Sequence, residues 1–262
     1  MKISACLIVH NEEYCIRRCL SSLVGVVDEI LVFYDGPCTD ITLDIAKDEF
    51  GAKVESLDFY GAMEKHQSYV FSQASGDWIL AIDADEFLSD DLKNSLRDLV
   101  SNHSVSAYSF IWPLWDGKRQ LTTSWPRKTS LFRKDKIEFL GVVHYRAKIN
   151  GLVQNTNYVL SHRPEYNNFT CKVFKTKWNK WAKIQAKEFK QDFSLVPKFN
   201  YTGDDWPKII KLRKRIPLVM MVSDFFWTLI KTIWQGRGNG IIVFKVAFMQ
   251  ASYKSLVDYY LI

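Results

Sequence analysis

Residues 75–92 read SGDWILAIDADEFLSDDL. Within them Trp78 to Ile82 is an unbroken apolar run, too short for a buried helix and right for a strand covered on both faces. Gly76 ends the helix that precedes it, and Asp83-Ala84-Asp85-Glu86 follows with no spacer. Two carboxylates one residue apart at a strand end can bind a hard divalent cation and a sugar or ribose hydroxyl together. A cation held there would neutralise a diphosphate and stabilise its charge as it departs. Taken alone, the same residues also read as a solvated acidic turn capping a helix that starts near Ser89.

Upstream, the chain alternates between two periodicities. Ile3 to Val9 reads as a strand, Asn11 offers an N-cap, and Ile16, Cys19, Leu20 and Leu23 recur at helical spacing. Ile30 to Tyr34 is a second strand, closed by Asp35-Gly36-Pro37. Thr39 or Asp40 then caps a helix that Gly51 ends. Lys53 to Leu57 and residues 62–74 add a third strand and a third helix. Strands and helices joined by short links predict a parallel, helix-covered sheet. Ligands bind such a sheet beyond the carboxyl ends of its strands. His10-Asn11-Glu12, Asp35-Gly36 and Asp83-Ala84-Asp85-Glu86 all fall there, so three polar patches share one edge. Asp35 can accept a hydrogen bond from an imide N–H, which uracil has and adenine lacks.

Downstream of Val100 the pattern is irregular, with strands expected over 105–112, 129–132 and 139–143. Lys172 to Phe189 reads as a basic helix with Phe174, Trp178, Trp181 and Ile184 on one stripe. A second basic stretch, Lys208 to Arg215, leads into apolar residues 217–234, which Asp224 and Lys231 interrupt. Ile241 to Leu261 forms another apolar helix. Residues 1–160 carry 17 Lys and Arg against 22 Asp and Glu, whereas residues 161–262 carry 18 against 7. The net charge of +6 therefore splits into −5 and +11. Such a basic, Trp-bearing back half favours an anionic partner, either nucleic acid or membrane head groups. Five cysteines without a repeated spacing read as free thiols in a reducing compartment. With 47% hydrophobic and 24% charged residues, the chain is neither disordered, collagenous nor a coiled coil.

Together with ACLIVHNEE (5–13) and DGPCTD (35–40), the opening stretch resembles the family 2 glycosyltransferases of the GT-A fold. The likeness is to the bacterial members that add sugars to lipopolysaccharide core and related surface glycans. A weaker likeness runs through WPRKTSLFRKDKIEFLGVVHY (125–145) to QGRGNGIIVFKVAFMQASYK (235–254), similar to the amphipathic helical tail of the same subgroup. The resemblance implies an α/β fold of the GT-A nucleotide-diphospho-sugar transferase type. Its central sheet would be mostly parallel with helices on both faces, followed by a C-terminal amphipathic helical extension. Residues 1–165 would form the catalytic domain, donor-binding over 1–100 and acceptor-facing over 101–165. Residues 166–262 would form a basic, aromatic, membrane-associating region.

The same resemblance implies a metal-dependent, inverting transfer from a nucleotide sugar to a lipid-linked or glycan acceptor, and the imide-accepting Asp35 favours a UDP-hexose among donors. His10, Asn11 and Glu12, with Asp35, would hold the nucleotide. Asp83 and Ala84 would meet ribose or sugar, Asp85 would ligate Mg²⁺ or Mn²⁺, and Lys65 would lie near the donor. Members usually carry His-Glu where this chain has His144-Tyr145, so the base must come from elsewhere. Asp116 and Glu138 are the carboxylates available, beside the retained His144. The missing glutamate also leaves open a catalytically altered scaffold that acts as a membrane-associated binding or structural protein.

Nucleic acid is disfavoured, because no RNP, KH or paired-cysteine zinc signature is present and the apolar stretches after Pro217 would serve no purpose. No G-x-G-x-x-G follows the first strand, which speaks against a dehydrogenase. Residues 217–234 are of borderline spanning length, and a charge near the centre disfavours a span by about 2.5–3.5 kcal/mol. The expectation is therefore helices lying in the interface on the cytoplasmic face of the cell membrane, with lysines toward anionic head groups. Packing of these helices on the catalytic domain, or a homo-oligomer formed through them, is the competing expectation.

Overall fold

The structure is a computed structural model that describes residues 1–262. Its strands are β1 (Ile3–Val9), β2 (Glu29–Asp35), β3 (Lys53–Leu57), β4 (Trp78–Ala81), β5 (Glu86–Leu88), β6 (Val105–Ile111), β7 (Arg127–Arg133), β8 (Ile137–Leu140), β9 (Lys148–Ile149), β10 (Leu152–His162) and β11 (Lys198–Phe199). Eight of them make one sheet in the order β3-β2-β1-β4-β7-β6-β10-β5, and β11-β8-β9 make a smaller one. The large sheet is parallel from β3 through β4 and again between β6 and β10. It is antiparallel where β7 joins β4 and β6, and where β5 joins β10. The expected parallel character thus holds for the donor half and gives way to a mixed sheet beyond β4. Neither β5 nor β10 is foreseen in the sequence.

The helices are α1 (Ile16–Ser21), α2 (Thr42–Asp44) continuing through a π turn to Glu49, α3 (Glu64–Gln73), α4 (Asp90–Ser101), α5 (Cys171–Val173), α6 (Asn179–Lys190), α7 (Lys208–Arg215), α8 (Pro217–Gly236) and α9 (Ile242–Tyr259). All seven residues of β1 are buried, as a central strand requires. Alternation divides them between two cores: Ile3, Ala5, Leu7 and Val9 join Ile16 and Leu20 of α1 and Leu92 and Leu96 of α4. Cys6 and Ile8 join Val70 and Phe71 of α3, with Ile137 and Phe139 of β8. Helices therefore cover both faces. Each fully buried Leu or Ile contributes about 1.5–3 kcal/mol to this arrangement. Ser89 caps α4 by accepting the Leu92 N–H at 3.3 Å.

Asn11, expected as an N-cap, does not cap a helix. Its backbone is left-handed with φ of 55°, and α1 begins only at Ile16. Tyr34 Oη and Thr39 Oγ1 both donate to its Oδ1, which fastens the β1 loop to the end of β2. The basic helix expected over 172–189 is present as α5, a π turn over Phe174–Trp178, and α6. Its aromatic stripe is half-buried. Phe174, Trp178 and Trp181 pack into a core shared with Tyr253 and Val257 of α9, Leu140 at the end of β8 and Val142 just after it. Four buried residues of α9 and its surroundings, Val243, Val246, Met249 and Phe169, also meet Leu114 and Trp125. One face of α9 is therefore interior to the protein.

α7 meets α8 at a bend of 118°, and no single helix is long and apolar enough to cross a membrane. Arg213 of α7 pairs with Asp224 of α8 and, at 2.5 Å, with Asp258 of α9. Asn239, in the turn between α8 and α9, accepts from the backbone N–H groups of Thr123 and Ser124. Of the five thiols, Cys6, Cys15 and Cys19 are buried, Cys38 is half-buried and Cys171 is exposed.

Candidate active site

The strand ends carry the chemistry the sequence places there, with partners drawn from distant parts of the chain. Asp83 sits just beyond β4 and receives the Lys128 ammonium on Oδ2 at 2.7 Å. The same ammonium reaches both oxygens of Glu86, at 2.7 and 2.8 Å. Glu86 is 0% exposed and also accepts from Trp112 Nε1 and from the Asp83 backbone N–H. Burial pushes its pKa up to about 7, with Asp83 and Asp85 adding to the push and Lys128 opposing it. Every contact to its oxygens is nevertheless a donor, so the geometry holds the ionised carboxylate. Lys128 pays for its own burial through Asp83 and Glu86, which hold it charged. Ala84 turns its methyl into the core, so only its backbone is left for a ligand.

Asp85 lies opposite His162, the last residue of β10, with Oδ2 3.3 Å from Nε2. Burial raises the Asp85 pKa, but the hydrogen bond and charge of His162, with Lys128, more than offset it and hold the carboxyl below its usual range. The His162 ring stacks on Trp112 at 3.8 Å between centroids, and its Nδ1 is buried without a partner. Glu12 completes the acidic group. Burial raises its pKa, and the charges of Asp85 and Asp83 act in the same direction.

A carboxylate and an imidazole on one spot, with a second carboxylate close by, suit Mn²⁺ or Mg²⁺ that is also ligated by a diphosphate. No three His, Cys, Asp or Glu side chains cluster tightly enough to hold an ion unaided. The residues fit a cation that arrives with the nucleotide.

Asp35 occupies the expected strand end, but its carboxylate does not face open space. Oδ1 accepts from Tyr60 N at 2.7 Å and lies 2.9 Å from His66 Nε2, while Oδ2 accepts from Gly61 N at 2.8 Å. Asp35 thus anchors the loop over residues 58–61, and the reading as a direct acceptor from uracil is corrected for this conformation. Its carbonyl oxygen lies 2.7 Å from His10 Nδ1. His10 is exposed and packs beside Tyr34 and Phe59, with ring centroids 5.5 and 5.3 Å away. A base would find an aromatic surface here.

Four other expectations meet different surroundings. Lys65 is paired with Glu188 of α6 at 2.7 Å, tying α3 to the C-terminal helices rather than standing free for a donor. Asp116 folds back on its own turn and accepts from the backbone N–H groups of Lys118 and Arg119. Glu138 is held by Lys148 and Asn150 between β8 and β9. Both carboxylates are engaged in these local contacts. His144 has φ of 55°, lies 3.0 Å from Tyr253 Oη through Nδ1, and packs edge-on against Trp181. Although the ring keeps an exposed edge, the protein around it and the charges of Lys254 and Lys177 push its pKa down to about 4. Neutral imidazole is the form that lines this wall.

Sequence reasoning missed Lys128, His162, Trp112 and Glu64, and named Glu86 only as part of the acidic patch, without its buried role. Glu64 opens α3 and accepts the His144 N–H on Oε1 at 2.9 Å. Burial raises its pKa, and Glu188 and Asp83 lie close enough to add to the rise. A strand pairing brings Lys128 to Asp83, and β10 brings His162 to Asp85. Both are long-range contacts with no local signal in the sequence.

The profile described as glycosyl transferase family 2 matches residues 4–151, more than half of the chain, and the chain belongs to that family. It is a glycosyltransferase. Among relatives, an uncharacterized glycosyltransferase of Rickettsia felis is 29% identical over 217 residues, covering 78% of this chain and 75% of that protein. A Rickettsia typhi uncharacterized glycosyltransferase is 37% identical over 107 residues, 41% of this chain and 36% of its own. Among solved structures, S. aureus TarS 1–349 in complex with UDP aligns over 95% of this chain and 90% of its own, with a TM-score of 0.46 and 15% identity. Glucosyl-3-phosphoglycerate synthase from Mycobacterium tuberculosis, in complex with phosphoglyceric acid, aligns over 79% and 87%, with a TM-score of 0.49 and 17% identity.

Proposed function

We propose that this glycosyltransferase moves a hexose from a uridine-diphosphate sugar to a hydroxyl of a surface-glycan or lipid-linked acceptor, with inversion and with Mn²⁺ or Mg²⁺. The observation that carries this reading is the grouping of Asp83, Asp85 and His162 beyond β4, with Lys128 held between Asp83 and Glu86. The acceptor oxygen bonds to the anomeric carbon on the face opposite the diphosphate. The bond from that carbon to the diphosphate oxygen breaks, and its electron pair leaves with the nucleoside diphosphate. The acceptor proton passes to a carboxylate.

Glu64 is that carboxylate in this reading, in place of Asp116 and Glu138. Burial moves its pKa toward the working range of a general base, and only backbone N–H groups bind it. Lys128, 2.7 Å from Oδ2 of Asp83, holds that carboxylate oriented to accept from ribose or sugar hydroxyls. A divalent cation held by Asp85 and His162 would supply charge neutralisation at the diphosphate. A preference for uracil would require the loop over 58–61 to lift from Asp35, since the carboxylate is occupied by that loop.

Transfer assayed for Asp85→Asn and His162→Ala should fall at least about 10- to 100-fold, together with Mn²⁺ affinity, while circular dichroism stays unchanged. Full activity of Asp85→Asn, or of the wild type in excess EDTA, would sink the metal role. Glu64→Gln should lower transfer by about 10²–10⁴-fold and keep nucleotide binding. Calorimetry against UDP, GDP and ADP tests the donor, and tighter binding of ADP than of UDP would remove the uridine assignment.

A further inference from the structure

α8 repeats a large apolar residue every fourth position: Leu218, Val222, Phe226, Ile230 and Trp234. This spacing sets them in one stripe along the helix. All five are exposed, and Val219 and Trp227 flank them. Ile241, just before α9, and Phe244 and Phe248 on it are exposed as well, and Phe225 touches Phe248 to join the two stripes into one face. Trp227 and Trp234 stand 68% and 63% exposed, values unusual for the most costly side chains to leave in water. An apolar face of this extent on a soluble surface marks an interaction site.

The charges identify the occupant. Residues 208–262 contain nine Lys and Arg but only two acidic residues, Asp224 and Asp258. Arg213 binds both acids, one on α8 and one on α9, so no free acidic side chain remains in this part of the chain. Asp224, which would argue against burying α8 in an apolar phase, is turned away from the stripe and neutralised. Lys231, Arg237 and Lys245 are exposed beside the face, and Arg237 stacks on Trp234. A second copy of the chain would bring this cationic rim against itself in a two-fold interface, which costs rather than gains. An anionic lipid surface meets every requirement: head groups for the cations, the head-group boundary for Trp, and the acyl region for the stripe.

We infer that the outer face of α8 and α9 seats in the plane of an anionic bilayer surface, neither spanning it nor pairing with another copy. On the opposite side of α9, Tyr253 carries its hydroxyl to His144. One helix, about 10 Å across, thus separates the bilayer surface from that wall of the site. The site would then be served by acceptors that the bilayer itself carries. This inference stands apart from the transfer reading, because lipid binding is measured without turnover.

The test is co-sedimentation of the full chain with vesicles of phosphatidylcholine alone and of phosphatidylcholine with phosphatidylglycerol, at low and high salt. Binding is expected to the mixed vesicles only, and to weaken in salt. A Lys231→Gln/Arg237→Gln/Lys245→Gln chain should bind about a hundred-fold more weakly. A Phe226→Ser/Trp227→Ser/Ile230→Ser chain should lose binding while its thermal unfolding is unchanged, since these side chains are outside the core. Asp85→Asn should bind vesicles like the wild type even where it fails to transfer. Wild-type binding by either triple variant overturns the inference. So does a stable dimer that ignores vesicles and falls apart in the Ser variant, which would make the face a self-interface.

Discussion

Lys128 brings one positive charge to a group of three carboxylates, Asp83, Asp85 and Glu86, of which Glu86 is entirely out of water. Removing it as Lys128→Met leaves that carboxylate buried without a cation, a change that typically costs about 3–5 kcal/mol. Urea unfolding should show the loss, and a midpoint within error of wild type would mean that Glu86 is not charged. His144 gives a prediction in pH. The protein around its ring, with Lys254 and Lys177, pushes its pKa down to about 4 from the ordinary 6.5. Between those values the unfolded chain takes up a proton that the folded chain refuses. Stability from this group is therefore complete above about 6.5 and lost as pH falls toward 4. Relative to His144→Gln, the wild type should lose urea resistance between neutral pH and pH of about 4.5. An unchanged difference between the two would show that the ring is not held neutral.

The hairpin of α8 and α9 closes on Gly236. A Cβ there would stand 2.6 Å from Val243 Cγ1 and 3.3 Å from Trp125 Cδ2. Val243 is β-branched and Trp125 is buried, so neither yields cheaply. Gly236→Ala should therefore destabilise by about 1–3 kcal/mol, read as a lower melting temperature. The elements themselves were largely legible. Strands over 3–9, 30–34 and 78–82 follow from apolar runs between punctuating Gly and Asp, the one over 53–57 from Val54 and Leu57 within an otherwise polar stretch, and the strand-end rule brings His10, Asp35, Asp83 and Asp85 to one edge. β10 was not legible, because its first half, Leu152 to Asn155, is exposed and carries polar residues where a strand signal would be apolar. β5 is three residues long and hides within the acidic motif. The partners of the site were illegible for another reason. Lys128 and His162 reach it only through the antiparallel and crossover pairings of β7 and β10, which no local period announces.

Across the whole molecule, the C-terminal third is not an appendage. α9 supplies Tyr253 to the His144 wall and Val243, Val246 and Val257 to two cores. Trimming the chain at residue 217 would open those cores, so a truncated protein that adheres to vesicles would report exposed interior rather than a docking face. The distribution of sulfur offers another view of the same body. Burial raises the thiol pKa of Cys6, Cys15 and Cys19, which makes them poor nucleophiles while the fold is intact. A chromogenic disulfide reagent should consume Cys171 at once, Cys38 more slowly, and the other three only after unfolding. Rapid reaction of all five in native buffer would contradict the packing of β1 and α1. Because those two elements flank His10, Asn11 and Glu12, the slow sulfhydryl phase times how often the nucleotide edge comes apart, with no substrate needed to observe it.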